Sequence, residues 1–515
     1  MRAVRIDVYS HHILLTQYTE VCQNAIKKYI KTHLAKYDYV YKTSGETEYK
    51  IVSIYASYSR ERMEYRFHRN SLDSFISFLG NYRFLVNDIE IVHHPILPGA
   101  FADFKIREDF NPYDYQADTL ENYLNKPKPI AKILTFQTGF GKTLTAQASM
   151  AHWKTRTLAI LKPMYIEKWI GDFKKDLGLT TKDIVVVKGS GALANLIEAA
   201  QLEYFDKKVI IISNRTYYFF IHHYKTLPLF EFVDMYGCTP QDLIQTLDVG
   251  LRLIDETHQE FHGNFTMDLF THVSCSIDMS ATLESEHVFM RKMYELRFPL
   301  ADRYSAMDYS KYVDVMALRY WFKADSLQKI RFIRRGRGSY SHVDFEKSLM
   351  RWKKPLNNYV KIIQAVIDTQ YMDNREEGQK MLIFAATVAM CTYITEELQK
   401  HYPALKIGRY VSEDDYSTLE KNDIIVSTLL SSGTAVDIAG LRTVLMTTAV
   451  RSLQSNVQAL GRLRRLKGKW ENTPLRFLYF VSENIPAHLD YHYAKLKAFK
   501  YRYGSFNEVY VQTQV

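Results

Sequence analysis

Cysteine is scarce in this chain, and its few copies stand far apart. The sequence has 515 residues and only four cysteines, with no C-x-x-C pair among Cys22, Cys238, Cys275 and Cys391. Such spacing suggests neither a disulfide framework nor a thiolate zinc site, and it fits a reducing compartment.

Long apolar runs are also missing. No stretch approaches the ~20 apolar residues that a membrane-spanning helix needs. The N-terminus, "MRAVRIDVYSHHILLTQYTE", lacks the apolar core and the small-residue cleavage site of a signal peptide. We therefore expect a cytoplasmic protein with no membrane partner.

Basic residues outnumber acidic ones. Lysine and arginine total 67 against 57 aspartates and glutamates, which gives a formal net charge of +10. This excess favours a polyanionic partner, nucleic acid first. With hydrophobic residues at 47% the chain has the composition of a globular protein, and its length predicts about three domains.

Short apolar segments alternate with amphipathic helices from about residue 133. Their continuous Val, Ile and Leu content, without polar alternation, is typical of parallel strands covered on both faces. The first series predicts strands at 132–136, 156–161, 183–188, 208–213, 251–255 and 273–281. A second series predicts strands at 380–386, 404–411, 422–428, 442–448 and 475–482. The pattern predicts two α/β domains in tandem.

The N-terminal region has a different pattern. Residues 37–69 alternate with a period of two around turn-like "TSGET" and "SRER", which indicates antiparallel hairpins, and helical stretches at 21–34 and 71–83 flank them. We expect a small α+β accessory domain. Its tyrosines and arginines could grip nucleic acid, or the tyrosines could be half-buried packing residues.

A basic stretch separates the two strand series. Ser326 to Pro355 carries nine basic and two acidic residues, including Arg334, Arg335 and Arg337. It suits either a phosphate-facing linker or a solvated connector. The expected divisions are an accessory domain at 1–105, a first α/β domain at 106–305, a basic linker at 306–355, a second α/β domain at 356–490 and a tail at 491–515.

A glycine-rich turn follows the first strand of the series. The segment "TGFGKT" places Thr138, Gly139 and Gly141 before a helix that starts near Lys142. Backbone N–H groups of such a turn and helix N-terminus cradle phosphates. Lys142 can reach the terminal phosphates, and the Thr143 hydroxyl can bind Mg²⁺. Phe136 stands where the strict G-x-x-x-x-G-K-[ST] pattern has its first glycine.

Two adjacent carboxylates end another strand. In "GLRLIDETHQEF", Asp255 and Glu256 follow the buried run Leu251 to Ile254. At the carboxyl edge of a parallel sheet they would face the same crevice as the glycine-rich turn. Asp255 would hold Mg²⁺ through water, and Glu256 would orient or deprotonate the water that attacks the γ-phosphate of ATP.

Four motifs together resemble superfamily-two helicases and nucleic-acid translocases. "TGFGKT", "DETH" at 255–258, "SAT" at 280–282 and "QALGRLRR" at 458–465 occur in the order and spacing of that family. The resemblance covers roughly residues 106–490 and implies two RecA-like domains. It is strongest to the UvsW and RecG group of branch-migration helicases, especially small phage enzymes with an N-terminal DNA-binding domain. A viral origin would place the protein in the host cytoplasm.

The resemblance implies roles for further residues. "YDYQADTL" matches the Q motif, in which Gln116 reads the adenine edge, and Tyr113 stands where relatives usually have an arginine. His258, Ser280 and Thr282 would couple hydrolysis to domain motion. Lys162 and Thr428 would contact the nucleic-acid backbone. The remaining implied positions are Gly433, Thr434 and Asp437 near the nucleotide, and Gln458, Arg462 and Arg465, of which an arginine would enter the ATP site from the second domain.

The predicted function is that of an ATP-dependent helicase or translocase that acts on branched or forked DNA in replication, recombination or repair. We expect the protein to be a monomer. Alternatives are a duplex-DNA translocase that remodels without unwinding, an RNA helicase and a non-catalytic nucleic-acid-binding scaffold. A zinc protease is a further rival, because His258 and His262 have i, i+4 spacing. However, Glu260 is out of place for the H-E-x-x-H motif, so no zinc is expected.

Overall fold

Parallel strands form two separate sheets in this protein. The computed structural model describes residues 2–41, 47–127, 131–136, 140–202, 205–280, 283, 285, 287–304, 312–333, 339–373, 375–411, 414–415, 417–429, 438–466, 468–500 and 502–515. These residues group into two compact units, Met1–Phe136 with Gly141–Met307, and Gln137–Phe140 with Asp308–Val515.

An N-terminal sheet opens the first unit. It has the order β5-β6-β2-β1-β7, in which β1 and β7 are parallel and the other pairs antiparallel. Among the residues that the structure describes, β3 and β4 form a separate two-stranded sheet. Helices Glu20–Tyr29 and Leu72–Gly80 belong to the same region, which is the expected mixed α+β domain. The strands are β1 (Val4–Val8), β2 (His12–Thr16), β3 (Ala35–Tyr41), β4 (Thr47–Ile54), β5 (Ser57–Ser59), β6 (Glu64–His68) and β7 (Ile89–His93).

The first parallel sheet contains all six strands expected from the first apolar series. Its order is β10-β11-β9-β12-β13-β8, and every pairing is parallel. The strands are β8 (Ala131–Leu134), β9 (Thr157–Leu161), β10 (Ile184–Val187), β11 (Val209–Ser213), β12 (Leu251–Ile254) and β13 (Cys275–Met279). The helices are Asp114–Thr119, Lys142–Trp153, Ile166–Leu177, Ser190–Gln201, Asn214–Thr226, Leu229–Tyr236, Leu243–Thr246, Phe261–Asp268 and Val288–Arg297.

The N-terminal sheet and the first parallel sheet share one hydrophobic core. Their contact also contains hydrogen bonds. The Val273 N–H donates to Ser10 Oγ at 2.9 Å, and the Ser10 N–H donates to His272 Nδ1 at 3.1 Å. The Tyr55 ring lies 5.0 Å from the Phe265 ring. The accessory domain is therefore packed firmly onto the domain that follows it.

The second unit is built on a seven-stranded parallel sheet. Its order is β16-β17-β15-β18-β19-β14-β20. The strands are β14 (Val313–Tyr320), β15 (Lys380–Ala385), β16 (Ile407–Tyr410), β17 (Ile424–Thr428), β18 (Leu441–Met446), β19 (Leu475–Ser482) and β20 (Ser505–Tyr510). The helices are Ala324–Leu327, His342–Leu349, Lys353–Val366, Val388–His401, Ser417–Lys421, Leu453–Leu460 and Pro486–Phe499.

Two strands of this sheet come from segments expected to lie outside the domain. β14 falls in the segment expected to be a linker, and β20 falls in the expected tail, yet β14 pairs in parallel with both β19 and β20. Phe345 and Leu349 also enter the core of the second unit. Arg334, Arg335 and Arg337 lie outside the described residues, so their predicted contact with DNA stays a prediction.

The buried groups of the fold include all four cysteines, which are free. Burial raises the pKa of Cys22 and Cys275 to about 11, and the pKa of Cys238 and Cys391 to about 12. No helix among the described residues is long and apolar enough to cross a membrane.

Candidate nucleotide site

The carboxyl ends of neighbouring parallel strands bring the predicted nucleotide residues to one edge of the first sheet. β8 leads to the glycine-rich turn, β12 leads to Asp255, and β13 leads to Ser280. Because β12, β13 and β8 are adjacent and parallel, these three segments emerge side by side. This is the edge at which open α/β sheets bind ligands.

The helix Lys142–Trp153 begins at Gly141, whose φ of 76° is in the left-handed region that favours glycine. A Cβ on Gly141 would lie 2.5 Å from Gln116 Nε2, so a side chain there would displace Gln116. Gln116 Nε2 donates to Thr145 Oγ1 at 3.1 Å, and Gln116 Oε1 accepts from the Tyr113 N–H at 3.0 Å. The predicted adenine-reading glutamine therefore packs directly against the start of the predicted phosphate-binding helix.

Lys142 lies at the first position of that helix. Its ammonium donates a hydrogen bond to the Phe136 carbonyl at 3.0 Å. The same positive charge opposes the upward shift of the Asp255 pKa and contributes to the lowered pKa of His258, so Lys142 is electrostatically close to both side chains. Thr143, half-buried, follows Lys142 on the helix. Thr138 and Gly139 lie outside the described residues.

Asp255 stands at the end of β12, next to a tryptophan that sequence reasoning missed. Trp169 Nε1 donates to Asp255 Oδ2 at 2.9 Å. Burial and the neighbouring Glu256 carboxylate raise the pKa of Asp255, while Trp169, Lys168 and Lys142 lower it, and the net shift is upward. A buried carboxylate beside a second carboxylate is suited to bind a divalent cation. The cation would offset both the cost of burying the charge and the repulsion between Asp255 and Glu256.

Glu256 is 8% exposed and has a φ of 49°, which is unusual for a residue with a side chain. Strained backbone of this kind concentrates at functional sites. Glu256 Oε2 lies 3.3 Å from His258 Nδ1, so the two motif residues are in contact.

His258 connects the acidic pair to the next strand. Its Nδ1 is 2.6 Å from Ser280 Oγ, at the end of β13. Burial lowers the pKa of His258 to about 3, with Lys142 contributing in the same direction, so the ring is neutral at physiological pH. The structure thus brings together two of the three residues predicted to couple hydrolysis to motion. The third, Thr282, lies outside the described residues.

His262 faces away from His258. Its Nε2 donates to the Ile54 carbonyl at 2.9 Å, whereas His258 contacts Ser280. Across the part of the chain that the structure describes, no three His, Cys, Asp or Glu side chains are grouped as metal ligands.

Lys162 and Tyr113 both belong to the first unit but have different surroundings. Lys162 follows β9, and its Nζ is 3.9 Å from Glu260 Oε1. Tyr113 is 60% exposed, and its ring stacks on Tyr115 at 5.6 Å. An exposed ring before Gln116 is available to stack on a base.

The second unit contains the other predicted residues. Thr428 ends β17 and is half-buried, and Gln458 lies on the helix Leu453–Leu460. Arg462 is buried just beyond that helix, while Arg465 is exposed with its guanidinium 5.3 Å from the Tyr312 ring. Gly433, Thr434 and Asp437 lie outside the described residues. The approach of Arg462 or Arg465 to Lys142 stays a prediction.

No protein-family model and no curated protein matches this chain. Among solved structures, S. cerevisiae Dbp5 bound to RNA and ADP BeF3 is 12% identical, with 78% of this chain and 90% of that chain covered at a TM-score of 0.48. A variant of Dbp5 gives 11% identity with the same coverage and score. The Pyrococcus furiosus Hef helicase domain is 13% identical, with 75% and 98% covered and a TM-score of 0.43. At such identities no residue role carries over to this chain.

Proposed function

We propose that this protein is an ATP-dependent helicase or translocase of superfamily two, near the UvsW and RecG group, that acts on branched DNA in replication, recombination or repair. One observation supports the ATPase most strongly. At one edge of a parallel sheet, a lysine at a helix N-terminus stands electrostatically close to an adjacent pair of carboxylates, one of which contacts a buried histidine. Lys142 is suited to the phosphates, Asp255 to the cation and Glu256 to the attacking water.

The nucleotide would bind through groups whose positions the fold fixes. The N–H groups at the start of the helix Lys142–Trp153 and the Lys142 ammonium suit the phosphates. Gln116, held by Thr145 and by the Tyr113 backbone, would read the base edge, and the exposed Tyr113 ring would stack on it.

Asp255 and Thr143 fit a Mg²⁺ ion, which when bound would neutralise charge on the phosphates. Trp169 fixes the Asp255 carboxylate by its hydrogen bond, so this oxygen ligand is already oriented. Glu256 would take the proton of the attacking water. His258 stays neutral at physiological pH. Because it contacts both Glu256 and Ser280, it would transmit a movement of the Glu256 side chain to Ser280 and β13.

The second unit would complete the reaction and the grip on DNA. Gln458, Arg462 and Arg465 are the candidates for neutralising charge on the transferring phosphoryl group. Thr428 and Lys162, with Arg334, Arg335 and Arg337, are the candidates for backbone contacts. Repeated approach and release of the two units would then shift the grip along a strand.

The decisive experiment is an ATPase assay with single-stranded, duplex and forked DNA and with RNA as cofactors. Stimulation by forked DNA is expected, and Glu256→Gln should lower kcat by about 100-fold or more, the usual contribution of a general base. Glu167→Gln, on an exposed helical position, is the matched control and should retain the wild-type rate. Wild-type protein that no nucleic acid stimulates would instead be a binding scaffold. A strand-displacement assay on the same forks separates unwinding from translocation along duplex.

A further inference from the structure

An isolated two-stranded ribbon, β3 with β4, has an exposed aromatic face. In their antiparallel register Tyr39 pairs with Tyr49 and Tyr37 pairs with Ile51. Opposite residues of such a pair point to the same side, so these four side chains share one face. Asp38 and Lys50 pair on the other face. We call Tyr37, Tyr39 and Tyr49 the tyrosine face.

The rings of the tyrosine face contact one another, and those of Tyr39 and Tyr49 are open to solvent while Tyr37 is half-buried. Tyr37 and Tyr49 stack with centroids 5.6 Å apart, and Tyr39 lies 5.0 Å from Tyr49. Tyr39 is 66% exposed and Tyr49 is 60% exposed. The sequence left open whether these tyrosines are half-buried packing residues, and for Tyr39 and Tyr49 the structure answers that they are not. Exposed aromatic rings that contact one another form a candidate interaction surface.

Exposed lysines precede the ribbon in the chain, while the ribbon itself carries Asp38 and Glu48 with Lys36 and Lys50. The helical run that leads into β3 exposes Lys27, Lys28 and Lys31. Lys292, from the helix Val288–Arg297, lies close enough to lower the pKa of His33, next to the same run. Exposed planar rings on a ribbon that follows a lysine-rich helical run match a polyanion that carries planar groups, as a nucleic-acid strand does.

The base of the ribbon is fixed to the element that follows the acidic pair. The Ile54 carbonyl accepts from His262 Nε2, and Tyr55 packs against Phe261 and Phe265. All three partners lie on the helix Phe261–Asp268, which begins three residues after His258. A strand held on the ribbon would thus be connected to the nucleotide site through one short helix.

We propose that the tyrosine face binds unpaired bases of a nucleic-acid strand by stacking. Duplex conceals its base faces, so the ribbon should select the single-stranded arm of a fork or junction. This inference rests on the proposed function and names the part of the substrate that the N-terminal domain recognises.

The test compares three full-length variants in fluorescence-anisotropy binding to labelled single strands, blunt duplexes and forks, each as DNA and as RNA. Tyr39→Ala with Tyr49→Ala should weaken binding to single strands and forks by roughly 10-fold or more, because each base lost from an aromatic platform costs about 1–3 kcal/mol. Binding to blunt duplex should change by less than about two-fold. The DNA and RNA arms show which strand supplies the bases.

Two controls keep the result interpretable. Tyr39→Phe with Tyr49→Phe keeps the rings and should bind like wild type, and an equal loss in this variant would assign binding to the hydroxyls and overturn the inference. Tyr493→Ala removes a tyrosine that is 64% exposed in the second unit and should have no effect. A fluorescent base analogue in the fork arm should be quenched by wild type and by the Phe variant only.

The remaining outcomes separate this inference from the proposed function. Suppose that wild type binds forks and that forks stimulate its ATPase. If the alanine variant then binds single strands and forks as tightly as wild type, the stacking role is overturned and the proposed motor function stands. Wild type without nucleic-acid binding would overturn both. A concentration-dependent dimer in sedimentation velocity that the alanine variant abolishes would assign the face to a second copy of this chain, and the inference would fall.

Discussion

Trp169 fixes the carboxylate that the proposed mechanism needs for Mg²⁺. Trp169→Phe keeps a ring in the core but removes the indole N–H that Asp255 Oδ2 accepts. A hydrogen bond to a charged group contributes about 1.5–3 kcal/mol, so we expect kcat for ATP hydrolysis to fall roughly 10-fold. Trp153→Phe is the matched control, because its indole donates to the Leu124 carbonyl instead. An unchanged rate in Trp169→Phe would refute this positioning role.

Two features of position 141 favour glycine over residues with a side chain: the left-handed backbone angle and the closeness of Gln116. Gly141→Ala puts a Cβ in the left-handed region and 2.5 Å from Gln116 Nε2. We expect ATP affinity, measured with a fluorescent nucleotide, to fall by about 10-fold, since left-handed backbone alone costs roughly 1–2 kcal/mol. Gly171→Ala, in a helix with open space around the added Cβ, should leave affinity unchanged. Equal affinities for the two variants would contradict the prediction.

At the residue scale, the sequence predicts motif members better than it predicts their partners. Lys142, Asp255 and Glu256 were predicted because the proposed chemistry depends on short local spacing, and their catalytic roles stay predictions. Trp169 could not be predicted, since its contact with Asp255 joins positions 86 apart in the chain and depends on how a helix packs over β12. The one nearby prediction was Lys162, seven residues earlier, and it gave no indication of a contact with Asp255.

At the scale of elements, a buried ionic cluster joins the strands that lead to the acidic pair and to Ser280. Arg252 on β12 and Arg297 both bind the Asp268 carboxylate, at 2.6 and 2.5 Å. Arg297 also reaches Asp278 on β13 at 2.8 Å and donates to Thr257 Oγ1 at 2.6 Å. Burial acts to raise the pKa of Asp268, but the two arginines outweigh it and hold that pKa well below its usual range.

Removing Arg297 should therefore destabilise the first unit. Arg297→Met leaves Asp268 and Asp278 buried with too little positive charge, and breaking a buried pair in this way costs about 3–5 kcal/mol. Urea unfolding measures the loss. Arg291→Met, on an exposed position of the same helix, should change the free energy of unfolding by less than about 0.5 kcal/mol. A small effect in Arg297→Met would mean that the cluster relaxes or takes up water.

Element prediction succeeded where apolar runs were continuous and failed where they alternated. All eleven strands expected in the two series are present and parallel. β14 and β20 were missed because "VDVMALRY" and "SFNEVY" mix polar with apolar residues. β14 has a neighbouring strand on each side, yet it carries two charged residues. Asp314 accepts a hydrogen bond from Ser505, and Arg319 forms ion pairs with Glu483 and Glu508. Such pairing is tertiary and cannot be read from local composition.

For the whole molecule, the excess of positive charge predicts a strong effect of salt. If binding involves about six or more phosphate contacts, fork affinity should fall roughly 10³-fold between 50 and 200 mM monovalent salt, because counterions are released. Anisotropy titrations at several salt concentrations measure the slope. Affinity that hardly changes would rule out a grip based on phosphates.

Buried histidines predict sensitivity to acid. Burial lowers the pKa of His68 to about 4 and of His258 and His488 to about 3, and it lowers the pKa of His11, His12 and His342 well below the usual range. These groups bind protons only in the unfolded chain as pH falls through about 6.5, so acid removes stability. His68, His258 and His488 should each reduce the free energy of unfolding by about 2 kcal/mol between pH 7 and 5.

Carboxyl groups with raised pKa values act in the opposite direction, and they include Asp172, Asp176, Asp255, Asp278 and Glu346. Burial raises the pKa of Glu346 to about 7, so its contribution is present at low pH and lost as pH rises through 7, which offsets about one histidine. Denaturant unfolding at pH 7 and pH 5 tests the sum. His68→Asn preserves an acceptor for the Asn70 N–H and should reduce the pH difference by about 2 kcal/mol. Equal stability at both pH values would contradict the prediction.

The buried thiols make it practical to test whether the two units move relative to one another. Since the thiolate is the reactive form, the raised pKa values of all four cysteines and their burial should leave the native protein nearly inert to maleimides. Dyes could then be attached to one new surface cysteine in each unit of an otherwise unaltered protein. Energy transfer between the dyes would then test whether the two units approach one another when ATP is added.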